Sequence, residues 1–381
     1  MANLILQGDF VYDGRVQRGG HAMYVLHWLH GLERLGHKVV LLNHVGDDQL
    51  KERAGTLRRF GELVSEWWHP DRTALLYRND SIFGMDKHQL TQFAREAAAL
   101  ITLGVPGRRQ VAEVVAEVRP RILVDQDPGY PHLWAAGSDP RDIFGEPDFY
   151  FTVGGNIGTK RCRVPTFGIN WRPIWNPVVT DWWSADAPIT RQRFTTVADW
   201  YSYSYLEFEG KSLGPKSEEF RKFIALPQMS GAAFEIAIDI HPHDQDVLLL
   251  QQHGWKLESP TVVGTPDLYR NYVSGSLGEF SCAKGGYVGT RGGWFSDRSA
   301  CYLAAGRPVV LQGTGFADLL PTGRGLFSVT SVEEARNAIQ AIRKDYQQHS
   351  AAAREIALEH FDSNRILTHL LAETGIPSRG V

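Results

Sequence analysis

Two stretches of the 381-residue chain set chemistry-bearing side chains at spacings that could work together. The first is His21, which follows Gly19 and Gly20 and opens the run HAMYVLHWLHGLERL. The first turn of a helix carries partial positive charge, which disfavours imidazolium, so a histidine there stays neutral and can take a proton from a hydroxyl. The other reading is a glycine turn whose histidine caps the helix or faces water. The second stretch is ILVDQDPGY, where Asp125 and Asp127 lie two apart and share one face of an extended strand. Pro128-Gly129 then turns the chain at the carboxyl end, where open α/β sheets bind ligands. Asp127 could orient His21 through the second ring nitrogen, the logic of a catalytic triad reduced to a dyad. It could equally satisfy loop amides.

A third stretch, CAKGGYVGTRGGWFSDRS, holds Gly285, Gly286, Gly292 and Gly293 just ahead of a helix start. Amides unshielded by a Cβ, together with the positive end of a helix, form a cradle for a diphosphate. Lys284, Arg291, Ser296 and Ser299 could add donors, and Asp297 could accept from a ribose or sugar hydroxyl or simply stabilise the first helical turn. His241 and His243 of DIHPHD sit at i and i+2 between acids, but with no cysteine or third histidine nearby the pattern is weak and no metal is expected. The pairs Trp67-Trp68 and Trp182-Trp183 read as packing residues, and GRRQ and TKRCR are too short to imply nucleic acid by themselves.

Elements that could position these groups follow from periodicity. Leu4 to Leu6 is a short buried strand; Ala22, Val25, Leu26, Leu29, Leu32 and Leu35 recur at helical spacing, Gly36 stops the helix, and VVLLNHV is the next strand. A second such unit is expected where Val111, Val114, Val115 and Val118 form one helix face before Pro120 and a strand over Ile122 to Val124. Between about Asn170 and Arg193 three prolines and four tryptophans interrupt all periodicity, after which FTTVADW and FEIAIDIHP start a fresh strand count. The strongest later unit is FSDRSACYLAAGRPVVLQGTG: a helix starting near Ser296, stopped at Gly306, then a buried strand. The fold expected is α/β, two Rossmann-like domains facing each other across a cleft. They span 1–180 and 190–360, with a helical tail over 361–381 placed to pack back on the first domain.

Composition excludes several classes. Hydrophobic residues at 43% and charged residues at 22% describe an ordinary globular chain, and a formal charge of −3 supplies no global field toward nucleic acid or anionic lipid. Three distant cysteines argue against a disulfide framework, and no basic leader or long apolar run is present, so a cytoplasmic protein without a membrane span is expected.

The order strand, Gly-Gly loop, helix and GHKVVLL in one half, with AAGRPVVLQGTG and GRGLF in the other, resembles the nucleotide-sugar glycosyltransferases of the GT-B fold. The resemblance covers both halves. It implies an acceptor against the first domain, a sugar nucleotide in the second, chemistry in the cleft and no required cofactor or metal. By the same resemblance Val263 and Gly264 of SPTVVGTPDLY would face the base, Trp200 and Lys216 the diphosphate or sugar, and Gly19 and Gly20 the donor from across the cleft. One departure stands out: the two glutamates of many retaining members would fall at Gly293 and Cys301 and are missing. The pattern with a histidine opening the first helix and an aspartate after a later strand, matched by His21 and Asp127, implies an inverting route. The expected activity is transfer of a hexose or related sugar from a nucleoside diphosphate sugar, such as a UDP-sugar, to a hydroxyl of a small molecule or glycan. Two alternatives stand beside it: a phage-type enzyme acting on hydroxymethylated pyrimidines in DNA, and an epimerase-like or binding protein without transfer activity.

Overall fold

Leu4, Ile5 and Leu6 are fully buried on both faces, the environment of a central strand in a parallel sheet. The computed structural model describes residues 1–10, 19–47, 50, 53–105 and 112–377, so most of the loop GDFVYDGRVQRGG, the whole of GRRQ (107–110) and Val111 lie outside the described residues. In chain order the first half contains β1 (Asn3–Gln7), α1 (Gly19–Arg34), β2 (Lys38–His44), α2 (Arg53–Trp67), β3 (Thr73–Tyr77), β4 (Asp80–Gly84) and α3 (Lys87–Arg95). It continues with β5 (Ala97–Leu103), β6 (Arg121–Asp125), α4 (Tyr130–Ala135), α5 (Pro140–Phe144), β7 (Phe149–Thr152) and β8 (Trp171–Pro173). These strands form one sheet in the order β4-β3-β2-β1-β5-β6-β7-β8, parallel except for the β3–β4 hairpin. The helix expected over Val111 to Val118 is corrected: only a 3₁₀ turn at Glu113–Val115 forms there. β-Branched valines favour helix poorly, and Pro120 ends any helix before it can lengthen.

The second half contains β9 (Arg191–Asp199), the hairpin β10 (Leu206–Phe208) and β11 (Lys211–Leu213), α6 (Lys216–Arg221), α7 (Leu226–Ser230), β12 (Phe234–Asp239), α8 (Gln245–Gln252) and β13 (Trp255–Glu258). Then come α9 (Pro266–Ser274), β14 (Ser276–Ser281), α10 (Gly285–Thr290), α11 (Asp297–Ala304), β15 (Val309–Gln312), β16 (Leu326–Val329), α12 (Val332–Lys344), α13 (Tyr346–His360) and α14 (Ser363–Glu373). Its sheet runs β13-β12-β9-β14-β15-β16, all parallel. In each lobe the first strand lies between the second and the fourth parallel strand, so each sheet has a switch point beside β1 or β9, where a ligand crevice forms at the carboxyl ends.

The chain crosses between lobes twice, and the crossings are laced together. The Val178 N–H donates to the Phe361 carbonyl at 2.7 Å, the Ser363 N–H to the Val178 carbonyl at 2.8 Å, and the Thr180 hydroxyl to Asp362 at 2.8 Å. Past this point α14 lies on α1. A Cβ at Gly31 would come within 2.5 Å of Leu367, which is why this position takes no side chain. Leu367, Leu370 and Leu371 are fully buried in the first lobe's core, each contributing about 1.5–3 kcal/mol relative to exposure. Among the described residues no helix is long and apolar enough to cross a membrane.

Candidate active site

Loops at the carboxyl ends of the two sheets meet along a seam. From the first lobe come the start of α1, the β6–α4 turn and the loop after β7; from the second come the segments after β13, β14, α10 and β15. The start of α1 touches the segment expected to face the base: a Cβ at Gly19 would sit 2.2 Å from the Thr265 carbonyl oxygen and 2.5 Å from that of Val263. At Gly20 it would meet the Tyr269 ring at 2.9 Å. The two glycines are therefore required by close approach of the lobes. Val263 is buried among the second lobe's apolar residues, and Gly264 is an ordinary helical residue closing a 3₁₀ turn at Pro260–Val263, so any contact to a base falls to their backbone.

His21 is half-buried in the first turn of α1, its ring 6.2 Å from that of Tyr24. The acid of the expected dyad is engaged across the seam: Asp127 accepts a hydrogen bond from the Tyr287 phenol and pairs with the Lys284 ammonium at 3.7 Å, both from the second lobe. Asp125, fully buried, takes the Thr152 hydroxyl at 2.9 Å and the Asp127 N–H at 3.1 Å; burial first, and the Asp127 charge second, push its pKa up to about 7.

The amide cradle is also corrected. The Gly285 N–H donates to the Gly214 carbonyl at 3.0 Å, and the Gly286 N–H to the Tyr130 hydroxyl at 3.2 Å. Both amides are spent within the protein. The glycines are there because a Cβ would strike Gly214 backbone at 2.8 Å or the Tyr130 ring at 2.5 Å. Gly293 donates to the Thr314 carbonyl at 2.9 Å. Trp200 likewise is no ligand contact: it is fully buried, packs on Phe220 and donates its indole N–H to Asp246 at 2.8 Å.

What this seam offers an anion is side-chain charge. Lys216, the first residue of α6, is only 6% exposed, and among the described residues no carboxylate pairs with it. Burial, then the Arg298 and Lys284 charges, lower its pKa to about 7. Arg298 is committed to Glu279 at 2.5 Å, the Ser281 hydroxyl at 3.0 Å and the Val197 carbonyl at 3.1 Å. Lys284 lies 3.6 Å from the centroid of Tyr203, with Tyr130 and Tyr287 on its other sides. Ser296 is the N-cap of α11 without a side-chain cap bond, and the Ser299 hydroxyl is fully buried with no partner. Asp297 follows Ser296, its pKa raised chiefly by burial against the opposing Arg298 charge.

The absence of the glutamate pair has a structural cause. Gly293 adopts φ +81°, which disfavours any side chain. Cys301 is buried with its Sγ 3.7 Å from His27 Nε2. Because His27 Nδ1 accepts the Val179 N–H at 3.1 Å, the ring proton sits on Nε2 and points at that sulfur.

Four seam residues were not anticipated. Tyr24 is 8% exposed, and among the described residues its hydroxyl makes no well-formed hydrogen bond, with the Trp28 indole beside it and the Asp297 and Asp127 charges acting on it. Its place one turn after His21 on the same helix face was a usable signal. Tyr130 and Tyr287 brace the lobes as described. Asn156 keys the loop after β7 into the second lobe, donating to the Arg291 and Gly315 carbonyls at 3.2 and 3.1 Å. His241 and His243 are exposed, and among the described residues no group of three or more His, Cys, Asp or Glu is arranged to hold a metal ion.

No protein-family model and no curated protein sequence matches the chain. Solved structures do. AviGT4, a glycosyltransferase of avilamycin A biosynthesis, aligns over 98% of this chain and 97% of its own with a TM-score of 0.59 and 12% identity. An alpha-glucosyltransferase bound to UDP-glucose and DNA containing an abasic site aligns over 98% and 99%, TM-score 0.58, 10% identity. HepE of Anabaena, bound to UDP-glucose, aligns over 98% and 100%, TM-score 0.58, 13% identity. The chain adopts the GT-B fold. Its β1 and β9 switch points are the two halves of the GT-B crevice, and the seam described above runs between them.

Proposed function

We propose that the protein is a metal-independent glycosyltransferase that moves a sugar from a nucleoside diphosphate sugar, in the first instance a UDP-sugar, onto a hydroxyl acceptor. One observation carries this reading: a buried lysine without a carboxylate partner, Lys216, at the crevice end of the second sheet, with the Lys284 and Arg298 charges beside it. A buried cation is costly unless an anion joins it, and two structural neighbours, HepE and the alpha-glucosyltransferase, are solved with UDP-glucose, which supplies a diphosphate. In the reaction the acceptor oxygen attacks the anomeric carbon, the bond from that carbon to the diphosphate oxygen breaks, and the nucleoside diphosphate leaves with the electron pair. His21 is our candidate for the base that takes the acceptor proton, its neutral form favoured by the α1 N-terminus. Lys216 and Lys284 hold the leaving charge, Asp297 and Ser299 are candidates for sugar or ribose hydroxyls, and the Val263–Gly264 backbone for the base.

UDP release from UDP-glucose with a mixture of hydroxyl acceptors tests the reading, with EDTA present to test metal independence. Tight UDP-sugar binding with no turnover on any acceptor would favour the non-transferring alternative instead. A DNA acceptor is the second reading. Lys160 and Arg161 are exposed on the loop after β7, four and five residues past the Asn156 contact at the seam, while Arg163 beside them pairs with Glu209 at 2.9 Å. Transfer to duplexes carrying hydroxymethylated pyrimidines, compared with small acceptors, separates the two. All three cysteines are free and buried, which suits the reducing cytoplasm we infer as its location.

A further inference from the structure

A cavity of about 480 Å³ opens in the second lobe along the starts of β9 and β12 and the length of β13, bounded on one side by Val262, the residue before Val263. Arg191 and Arg193, two apart on β9, project to the same side, and Lys256 on β13 lies beside Glu235 on β12 in the parallel register. All four line the cavity together with Glu258. Glu235 is 3% exposed, and three cations converge on it: Lys256 at 2.9 Å, Arg191 at 3.6 Å and Arg193 at 3.7 Å.

Three cations face two carboxylates here, and their donors are unevenly used. Lys256 serves both acids, reaching Glu258 at 2.6 Å. The two guanidinium groups stand beyond hydrogen-bond reach of Glu235, and their N–H forks donate to no protein acceptor among the described residues. Arg191 is held from behind by the Tyr272 ring at 4.8 Å, which fixes its plane without occupying its donors. Two oriented forks with unused donors, a surplus positive charge and a cavity in the size range of small-ligand sites match a tetrahedral dianion with a small organic body. We propose that this cavity binds a small phosphate-bearing molecule, at a site separate from the interlobe seam. Arg191 and Arg193 grip the phosphate oxygens, Lys256 supplies the third charge, and Glu235 holds the cations in place from below.

Inorganic phosphate, titrated calorimetrically into the whole protein at constant ionic strength, is the probe. Arg193→Ala should weaken phosphate binding ~10-fold or more, the size expected for loss of one charge-assisted fork, while UDP affinity stays unchanged. Lys216→Ala, which alters the seam, should leave phosphate binding intact. Glu258→Gln keeps the buried Glu235 network and removes a competing carboxylate, so it should tighten phosphate severalfold and supplies a gain that misfolding cannot imitate. Absence of phosphate binding to the wild type in the millimolar range, loss of binding in Lys216→Ala, or indifference to both Arg193→Ala and Glu258→Gln would each overturn the proposal.

Discussion

The phenol of Tyr287 on the second lobe donates its proton to the carboxylate of Asp127 on the first, and the same ring stacks on Trp294 with centroids 4.1 Å apart and planes within 7°. This contact crosses the seam, so it is one of the bonds that hold the lobes in their present orientation. Tyr287→Phe keeps the stack and removes the bond. It should lower stability by about 1 kcal/mol, the usual worth of such a bond, and make the lobes open more readily. Denaturant unfolding of the single variants Tyr287→Phe and Asp127→Asn and of the double variant measures the coupling; additive effects would mean the bond is not formed in solution.

Tyr24 predicts the opposite pattern. Among the described residues its buried hydroxyl has the Trp28 indole beside it and makes no well-formed hydrogen bond, so Tyr24→Phe should leave the melting temperature unchanged or raise it. If the seam binds a sugar between Asp127 and Asp297, the same change should cut transfer by ~10-fold or more with UDP affinity preserved. Equal kcat/KM in wild type and variant would remove Tyr24 from the site.

Lys216 ties ligand binding to pH. Its pKa is lowered to about 7 in the free protein, so it is charged below that value and neutral above it. Affinity for UDP should therefore fall as pH rises from 6.5 to 8.5, by up to ~10-fold per unit once the lysine is largely neutral. Lys216→Met should bind UDP weakly with that slope abolished. A UDP affinity independent of both pH and this substitution would place the diphosphate elsewhere.

Stability has an acid limb of its own. Burial lowers the pKa of His27 to about 3 and of His132 to about 4, against 6.5 when unfolded, so both are neutral in the fold. Below pH 6.5 the unfolded chain gains protons that the folded one refuses, and stability is lost. For His132 the loss is about 2 kcal/mol at pH 5 relative to pH 7.5. Asp125, with its pKa pushed up to about 7, works the other way: the fold takes a proton first, so falling pH stabilises it through this group. His132 has neither ring nitrogen hydrogen-bonded and stacks on Trp171 at 4.7 Å. His132→Phe should therefore fold well and flatten the decline in melting temperature between pH 7.5 and 5. An unchanged slope would mean that His132 is not buried neutral.

The missing glutamates give a structural prediction. Restoring them as Gly293→Glu and Cys301→Glu should not create a donor site. At Gly293 a Cβ would stand 3.0 Å from the Asn156 nitrogen with φ at +81°, and at Cys301 a carboxylate would replace the thiol against neutral His27. Each variant should be destabilised by about 1–3 kcal/mol or more, read by chemical denaturation.

The elements were legible where their cause is local. α1 follows from leucine and valine spacing and the Gly36 stop; α11 begins beside Ser296, where a helix start was expected; the two parallel sheets follow from alternating strands and helices. The Val111–Val118 helix misled because β-branched valines at helical spacing favour helix poorly, and among the described residues only the turn at Glu113–Val115 forms. The site was legible as a set of segments rather than as a set of roles. Gly285 and Gly286 do sit at the seam, but whether their amides are free depends on Tyr130, 156 residues from Gly286 in sequence. Asp127 was in the right loop, while its partners come from a lobe whose docking no periodicity reveals. Trp200 was placed at the diphosphate or sugar by resemblance alone; the partner that draws it inward, Asp246, lies 46 residues on.

The lacing of Val178 to Phe361 and Ser363 puts both strands of the tether on one line. Two crossings bonded to each other cannot shift independently, so any displacement of one connection carries the other with it, and a substitution in either is felt at both.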